Sequence, residues 1–267
     1  MLELYHNNIS VCAQKVRLVL AEKKLPWVNH HLDLKRGEHL RPEFLAINPK
    51  GLVPVLVHDR NVIVESSLIC EYLDDVFPEP PLKPTSALAR ARMRLWSKAV
   101  DEGLHVACGT ISFVAAFATQ LNDGLTEAQI ETRLAGIPDA ARRERQRQLI
   151  RLGIKAPFVK DALKLHDKLI GEMEAALQNG PWLMGDDFSL ADVMMAPYIE
   201  RLDRLTLSGL WVPERPAVGE WFRRLKSRPS FSEALDAFQP HDYNDLLREQ
   251  GKDLWPSFRE LLKAGVV

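Results

Sequence analysis

Four prolines crowd the segment Phe77-Pro78-Glu79-Pro80-Pro81-Leu82-Lys83-Pro84. Each proline fixes φ and lacks an N–H, so neither a helix nor a central strand runs through such a stretch. The segment reads as a stiff linker between two units of different character. Before it, apolar residues alternate in short runs, as in strands, between helical stretches. After it, strand patterning disappears and apolar residues recur with helical spacing. The predicted organisation is an α/β domain over residues 1–80 and an all-α domain over residues 86–267. A chain of 267 residues has room for two such units.

In the first unit, Leu2-Glu3-Leu4-Tyr5 alternates as a strand, and Asn7-Asn8-Ile9-Ser10 forms a loop. Ser10 stands as a candidate N-cap for a helix running from Val11 to Lys24, with Val11, Val16, Val19 and Leu20 on its apolar face. Trp27 to Leu34 reads as a second strand and Gly37 to Asn48 as an irregular helical piece. Val53 to Val57 and Asn61 to Val64 form two strands around His58-Asp59-Arg60. Ser66 to Val76 is a helix. The order β-α-β-α-β-β-α describes a small mixed sheet with helices packed on it.

The second unit opens with a long helix from Ala87 to about Leu121, striped by Met93, Trp96, Val100 and Leu104. Gly103 and Gly109 weaken it and mark a bend or a close helix contact. Leu125 to Leu152 is rich in Arg, Glu and Gln, and Arg142-Arg143-Glu144-Arg145-Gln146-Arg147 reads as a solvated helix face before it reads as an anion site. Phe158 to Leu177 is a further amphipathic helix. Ser189-Leu190-Ala191-Asp192 has the form of a capping box, with Asp at the reciprocal position, opening an apolar helix through Leu205. Another helix runs from Pro216 to Ser227. The apolar residues of the tail, among them Leu247, Trp255 and Phe258, predict that it docks on the body.

Charge narrows the partners. The formal net charge is −1 and the pI about 6.7, with Lys and Arg mixed among Asp and Glu, so nothing points to nucleic acid. No run of about 18 apolar residues calls for a membrane span. The N-terminus begins directly as a strand, without the basic and apolar regions of a signal peptide, and a cytoplasmic location is expected. Cys12, Cys70 and Cys108 are an odd number, lie far apart and lack metal-ligand spacing, so no metal and no disulfide framework is expected. Cys70 and Cys108 read as small core residues.

Two short motifs carry the chemistry. In Ile47-Asn48-Pro49-Lys50-Gly51-Leu52-Val53-Pro54-Val55-Leu56, the X-Pro bond directly before a strand is a natural place for a cis peptide in a turn. Such a path leaves the backbone N–H and C=O of Val53 open to an extended peptide ligand. Glu65-Ser66 ends the following strand and opens a helix, where bare N–H groups suit a carboxylate. Together they suggest a site for a small, charged, peptide-like molecule.

The whole pattern resembles the cytosolic glutathione transferases. It rests on Ser10 with Lys15-Val16-Arg17, on Asn48 through Pro54, on Glu65-Ser66, and on Ser189-Leu190-Ala191-Asp192, in this order and at these separations. The resemblance implies a thioredoxin-like N-terminal domain that binds glutathione and an all-α C-terminal domain. Val53, beside Pro54, would pair through its backbone with the cysteinyl part of glutathione. Glu65 and Ser66 would hold its γ-glutamyl end, and His39 would contact the glycyl end. Glutathione is thus the implied co-substrate, a hydrophobic electrophile the second substrate, detoxification the usual role and a homodimer the usual assembly, with the edge around Ile63 to Leu73 taking part.

Ser10 lies where the family's serine- and cysteine-type members place the residue that meets the sulfur; the plain alternative is an N-cap. Tyr5, inside a strand, is a poorer thiol donor. Cys12 makes Ser10-Val11-Cys12-Ala13-Gln14-Lys15 similar to zeta-class isomerases and reductive dehalogenases, where the matching cysteine forms a mixed disulfide. Its alternative is a small packing residue facing the sheet. The segment Ile69 to Pro78 and the charged stretch Leu125 to Pro157 are similar to bacterial β-etherases, although the loop Asn7-Asn8-Ile9-Ser10 differs from theirs. A second-substrate pocket is expected between that loop and the long helix, with Asn8, His105, Thr110, Phe113 and Phe117 as wall residues. The reading is an enzyme that conjugates glutathione or uses it to cleave an ether or carbon–halogen bond. The alternatives are a reductase or dehalogenase acting through Cys12 and a non-catalytic binding module of the same fold.

Overall fold

The computed structural model describes residues 1–137, 139–240 and 242–263. The last four residues of the predicted helical domain therefore lie outside the described ones. Strands β1 (Leu2–His6), β2 (Trp27–His31), β3 (Val55–His58) and β4 (Asn61–Val64) form a single sheet in the order β2-β1-β3-β4. β1 and β2 are parallel, joined by the crossover helix α1 (Val11–Glu22), while β3 is antiparallel to both β1 and β4. The central strand β1 buries Leu2, Leu4 and His6 on one face, the period of two that its sequence alternation implies. α1 and α3 (Ser66–Val76) pack together, and α2 (Pro42–Leu45) is a single turn. β2 ends three residues sooner than its sequence pattern suggests: the Leu32 N–H turns back to the His6 carbonyl at 2.8 Å, and chain pairing stops there.

The proline-rich segment is followed by one continuous helix over Ala87–Asn122. It comprises α4 (Ala87–Ala99), α5 (His105–Ser112) and α6 (Ala118–Asn122), joined by π-helical turns at Val100–Leu104 and Phe113–Phe117. π turns re-aim the side chains that follow them and are frequent at functional sites. Gly103 is a close contact, since a Cβ there would stand 2.9 Å from Leu165 Cδ2; Gly109 has open space beside it. By length and composition this helix resembles a membrane span, but half of its apolar window is buried within the protein, where it packs on α9 (Pro157–Ala176) and α10 (Leu190–Arg204).

The charged stretch is broken into α7 (Glu127–Ala135) and α8 (Ala140–Leu152). α11 (Pro216–Lys226), α12 (Pro229–Ala234), α13 (Tyr243–Gly251) and α14 (Leu254–Lys263) complete the chain. The tail docks through Leu247 and Phe258, both fully buried. α1 lies between the sheet and the helical region, touching α3, α10 and α12, so its N-terminus opens where the two meet.

Candidate active site

The loop between β1 and α1 is held from beneath. Arg17, 1 % exposed, donates to the carbonyls of Asn7 (3.2 Å), Asn8 (2.8 Å) and Ala234 (2.7 Å) and shares a hydrogen bond with His6 Nδ1 at 2.9 Å. Burial pushes the Arg17 guanidinium down to about 9, and burial with the adjacent Arg17 charge pushes His6 down to about 4. The Asn7 side chain closes the loop by donating to the Leu32 carbonyl at 2.9 Å and accepting from the Ile9 N–H at 3.1 Å. Asn8 contributes its carbonyl to Arg17.

Ser10 caps α1. Its backbone is extended, and its Oγ accepts from the Ala13 N–H at 3.3 Å. Accepting leaves the hydroxyl hydrogen free to donate outward. Capping and thiol binding are thus compatible roles for one oxygen.

Cys12 is half-buried in the first turn of α1, and its Sγ lies 3.4 Å from Nδ1 of His105, which opens α5. The same nitrogen is 3.4 Å from the Tyr198 hydroxyl. Lys15 is fully buried one turn on; it donates to Ser67 Oγ at 3.3 Å and lies 3.9 Å from Asp101, which accepts from Ser67 at 2.8 Å. Burial pushes the Cys12 thiol up, but the Lys15 charge and the His105 contact outweigh it and bring it down to about 6. Cys70 and Cys108 show the opposite case: both are buried in the core, and burial pushes their thiols up, Cys70 to about 12.

The segment Asn48 to Pro54 leads into β3. Asn48 Nδ2 donates to the Leu52 carbonyl at 2.8 Å, and Gly51 turns at φ +59°. A Cβ on Gly51 would stand 3.0 Å from Leu40 Cδ2 and 3.1 Å from the His39 carbonyl, so the turn fits glycine and seats His39 beside it. The Val53-Pro54 bond is cis. Among the described residues, the N–H and C=O of Val53 have no hydrogen-bond partner. Glu65 sits at φ +66°, a left-handed conformation that costs a non-glycine residue about 1–3 kcal/mol and concentrates at ligand sites. Its carboxylate meets Lys50 Nζ at 2.9 Å, and Ser66, buried, opens α3 with unpaired first-turn N–H groups. His39 Nδ1 is buried without a partner. Open Val53 amide groups, a helix N-terminus and an orphan ring nitrogen together fit a peptide with carboxylates at its ends.

The expected pocket wall divides. His105 faces Cys12. Thr110 and Phe113 turn inward: each is buried, and the Thr110 hydroxyl is taken up by the Val106 carbonyl at 2.9 Å. In their place Arg201 reaches from α10 to the Ile9 carbonyl at 2.6 Å, and its guanidinium lies 5.3 Å from the Phe117 ring. Neither Arg201 nor Tyr198 was flagged by sequence, because one buried polar residue in an apolar helix looks like any other interruption of the pattern. Among the described residues, no three of His, Cys, Asp and Glu are grouped to hold a metal ion.

Comparison with known proteins gives a consistent picture. The family model for the glutathione S-transferase N-terminal domain matches residues 9–76, and that for the glutathione S-transferase C-terminal domain matches residues 140–224. The Protein LigF of Sphingobium sp. (strain NBRC 103272 / SYK-6) is 30 % identical over 94 % of this chain and 98 % of its own length. The crystal structure of beta-etherase LigF superposes with a TM-score of 0.78 at 27 % identity, covering 88 % of this chain and 99 % of that one. The glutathione S-transferase TCHQD of Arabidopsis thaliana is 26 % identical over 89 % of this chain and 90 % of its own. The FtsZ-localized protein A of Caulobacter vibrioides (strain NA1000 / CB15N) is 31 % identical over 87 % of this chain and 90 % of its own.

Proposed function

This chain belongs to the glutathione S-transferase family, and from that premise we propose that it is an enzyme whose site activates the thiol of glutathione for attack on a hydrophobic electrophile, by conjugation or by cleavage of an ether or carbon–halogen bond. The observation that supports the reading is the open Val53 backbone just ahead of β3, which pairs with β4 just before Glu65-Ser66 opens α3, the helix packed against α1 that Ser10 caps. Val53 would pair with the cysteinyl part, Glu65 and Ser66 would hold the γ-glutamyl end, and His39 would meet the glycyl end. Glutathione supplies the nucleophilic sulfur. Ser10 donates a hydrogen bond to the sulfur anion, and the α1 N-terminus adds favourable partial charge. The carbonyl-pinned loop Asn7–Ser10 fixes that donor in place. The domain boundary falls in the proline-rich segment, with 1–80 as the glutathione domain and 86–267 as the helical one. Calorimetry with reduced glutathione at millimolar levels, followed by turnover of an activated aryl halide, tests the reading; no uptake overturns it. Uptake without turnover across a panel of aryl halides, aryl ethers and alkyl halides would favour a binding module, a reading to which the relative named for localisation to FtsZ lends support.

A second reading draws on Cys12. Its contact with His105 and its low thiol suit thiol–disulfide exchange, in which the thiolate attacks one sulfur of oxidised glutathione, the S–S bond breaks and reduced glutathione leaves with a proton. The expected alkylation profile with iodoacetamide inflects near pH 6 and is flat above pH 7, because the rate follows the thiolate fraction. In His105→Gln the inflection should move upward towards that of an ordinary thiol, about 8.5. An inflection that stays put in that variant removes His105 from the pair.

We also propose a two-fold homodimer, supported by the exposed apolar side chains Val62, Leu68, Leu88 and Leu95, of which Leu68 is 61 % exposed. Leu68→Glu should shift the sedimentation equilibrium towards monomer. A wild-type protein that sediments as a monomer throughout would exclude the dimer. Cytoplasmic location and a role in detoxification belong to the same proposal.

A further inference from the structure

Two arginines near the end of α10 are buried to a similar depth but partnered differently. Arg204 is held by Glu200, by Asn244 and, at 3.2 Å, by Asp236. Arg201 has no ion pair among the described residues. Its Nη2 donates to the Ile9 carbonyl at 2.6 Å and its Nη1 to Ser112 Oγ at 3.4 Å, while Nε is buried without a partner. The guanidinium lies 5.3 Å from the Phe117 ring. Burying a cation without an anion is costly, so a good reason for its place is to be sought in what it holds.

What it holds is the last carbonyl before Ser10. The carbonyls of Asn7 and Asn8 are taken by Arg17 at 3.2 and 2.8 Å, and the next one along the chain is taken by Arg201. The Ile9 carbonyl and the Ser10 N–H belong to one planar peptide unit. That N–H donates to the Asn7 carbonyl at 3.3 Å, so the unit is fastened at both ends, by the loop itself and by α10. On the other side of Ser10, its carbonyl accepts from the Gln14 N–H at 2.9 Å and its Oγ from the Ala13 N–H at 3.3 Å. With both flanking peptides fixed, the direction of the Ser10 Cα–Cβ bond is fixed too. Arg201 is the member of this frame that α10 supplies.

Resting on the glutathione reading above, we infer that Arg201 is a positioning residue of the transferase site: from the helical domain it locks the Ile9–Ser10 peptide and so aims the Ser10 hydroxyl at the sulfur of glutathione. A hydrogen bond from a cation is roughly twice as strong as one between neutral groups, and the guanidinium fork lets one side chain tie the loop to Ser112 as well. The hold matters because a donor displaced from the position of the developing anion stabilises it poorly. Arg201 touches Ile9 and acts through Ser10, while Val53, Glu65 and Ser66 hold the peptide part of glutathione. Its removal therefore falls on turnover and on ionisation of the bound thiol, and spares the grip on the peptide.

The test uses the full chain, with turnover of an activated aryl halide, the ultraviolet absorbance of the bound thiolate against pH, and calorimetry with S-methylglutathione, whose sulfur cannot ionise. Arg201→Ala should lower kcat about 10-fold at pH 7 and raise the pH at which the bound thiol ionises by about one unit. It should bind S-methylglutathione within about 2-fold of wild type, which also shows that the fold is intact. Arg201→Lys keeps a charged donor and should recover part of the loss. Arg201→Gln serves if the alanine variant does not fold, and should shift the thiol profile in the same direction. Adding Arg201→Ala to Ser10→Ala should cost little more than Ser10→Ala alone, since the two act as one unit. Wild-type turnover and thiol profile in Arg201→Ala overturn the inference and leave the glutathione reading standing. Losses that multiply in the double variant overturn it as well, because Arg201 then does not act through Ser10. A loss of S-methylglutathione affinity as large as the loss of turnover overturns it as a general change in the fold. No uptake of glutathione by wild type overturns both.

Discussion

Ser10→Ala is expected to lower kcat/KM for glutathione-dependent turnover about 10- to 100-fold at pH 7. A hydrogen bond to a charged acceptor contributes about 1.5–3 kcal/mol, and one pKa unit corresponds to about 1.4 kcal/mol. Removing the donor therefore raises the bound thiol by roughly one to two units. A thiol held near 7 by the site would return towards its free value of about 8.5, and its anion fraction at neutral pH would fall accordingly. The sign fixes the profile. The rate rises with pH through the thiol pKa, so the variant should be most impaired below pH 7 and approach wild type above about pH 9.5. Ser10→Thr keeps a hydroxyl that can both cap and donate, and should retain most of the activity. Because Ser10 Oγ accepts from the Ala13 N–H, the alanine variant should also lose about 1 kcal/mol of stability, a few degrees in thermal midpoint. A variant with the lower midpoint but unaltered turnover at pH 6.5 would confine Ser10 to capping. Mixed-disulfide formation persisting in Ser10→Ala and absent in Cys12→Ala would then move the chemistry to the cysteine.

The architecture was legible in the sequence because its signals are local. Strand alternation in Leu2–His6, the cap at Ser10, the X-Pro turn before Val55 and the box at Ser189 each act within a few residues, and each appears in the structure at the expected place. The turn at Val53-Pro54 and the start of α3 at Ser66 were legible for the same reason. The other wall was not. Which side chains of the long helix meet Cys12 depends on the π turns at Val100–Leu104 and Phe113–Phe117, which rotate the helix face away from the 3.6-residue expectation. His105 came into the cleft, while Thr110 and Phe113 turned into the core. Cys12 read first as a packing residue because the pull on its thiol comes from Lys15 on its own helix and from His105, 93 residues away. The arginine run of α8 shows the same limit. Its pairs with Glu131 need the break between α7 and α8, while the solvated face expected of it is kept, with Arg142 exposed.

Asp192→Ala should destabilise the protein by about 4 kcal/mol and lower its thermal midpoint by on the order of 10 °C. Asp192 is fully buried at the start of α10 and accepts four hydrogen bonds: from the Leu183 N–H (3.0 Å) and Trp221 Nε1 (2.8 Å) on one oxygen, and from the Ser189 N–H (3.0 Å) and Ser189 Oγ (3.2 Å) on the other. One carboxylate thereby joins the helix cap, the turn at Trp182–Gly185 and the fully buried Trp221 of α11. Alanine leaves buried donors without acceptors, each costing about 1–3 kcal/mol before relaxation, and the shared site makes these costs less than additive. Burial raises the Asp192 carboxyl to about 6, above its unfolded value, in spite of the four donors. The folded state therefore binds the proton more tightly than the unfolded chain. Stability from this group is greatest below about pH 4 and declines as pH rises to about 6, so the deficit of Asp192→Ala should be larger at pH 5 than at pH 7. Chemical denaturation at the two pH values measures both quantities. Because Asp192 lies apart from the Ser10–Val53 cleft, the glutathione affinity of the folded variant should stay within 2-fold of wild type. A deficit below about 1 kcal/mol, or one that grows with pH, would show that the donors find other acceptors and that the box is not what holds α10 and α11 together.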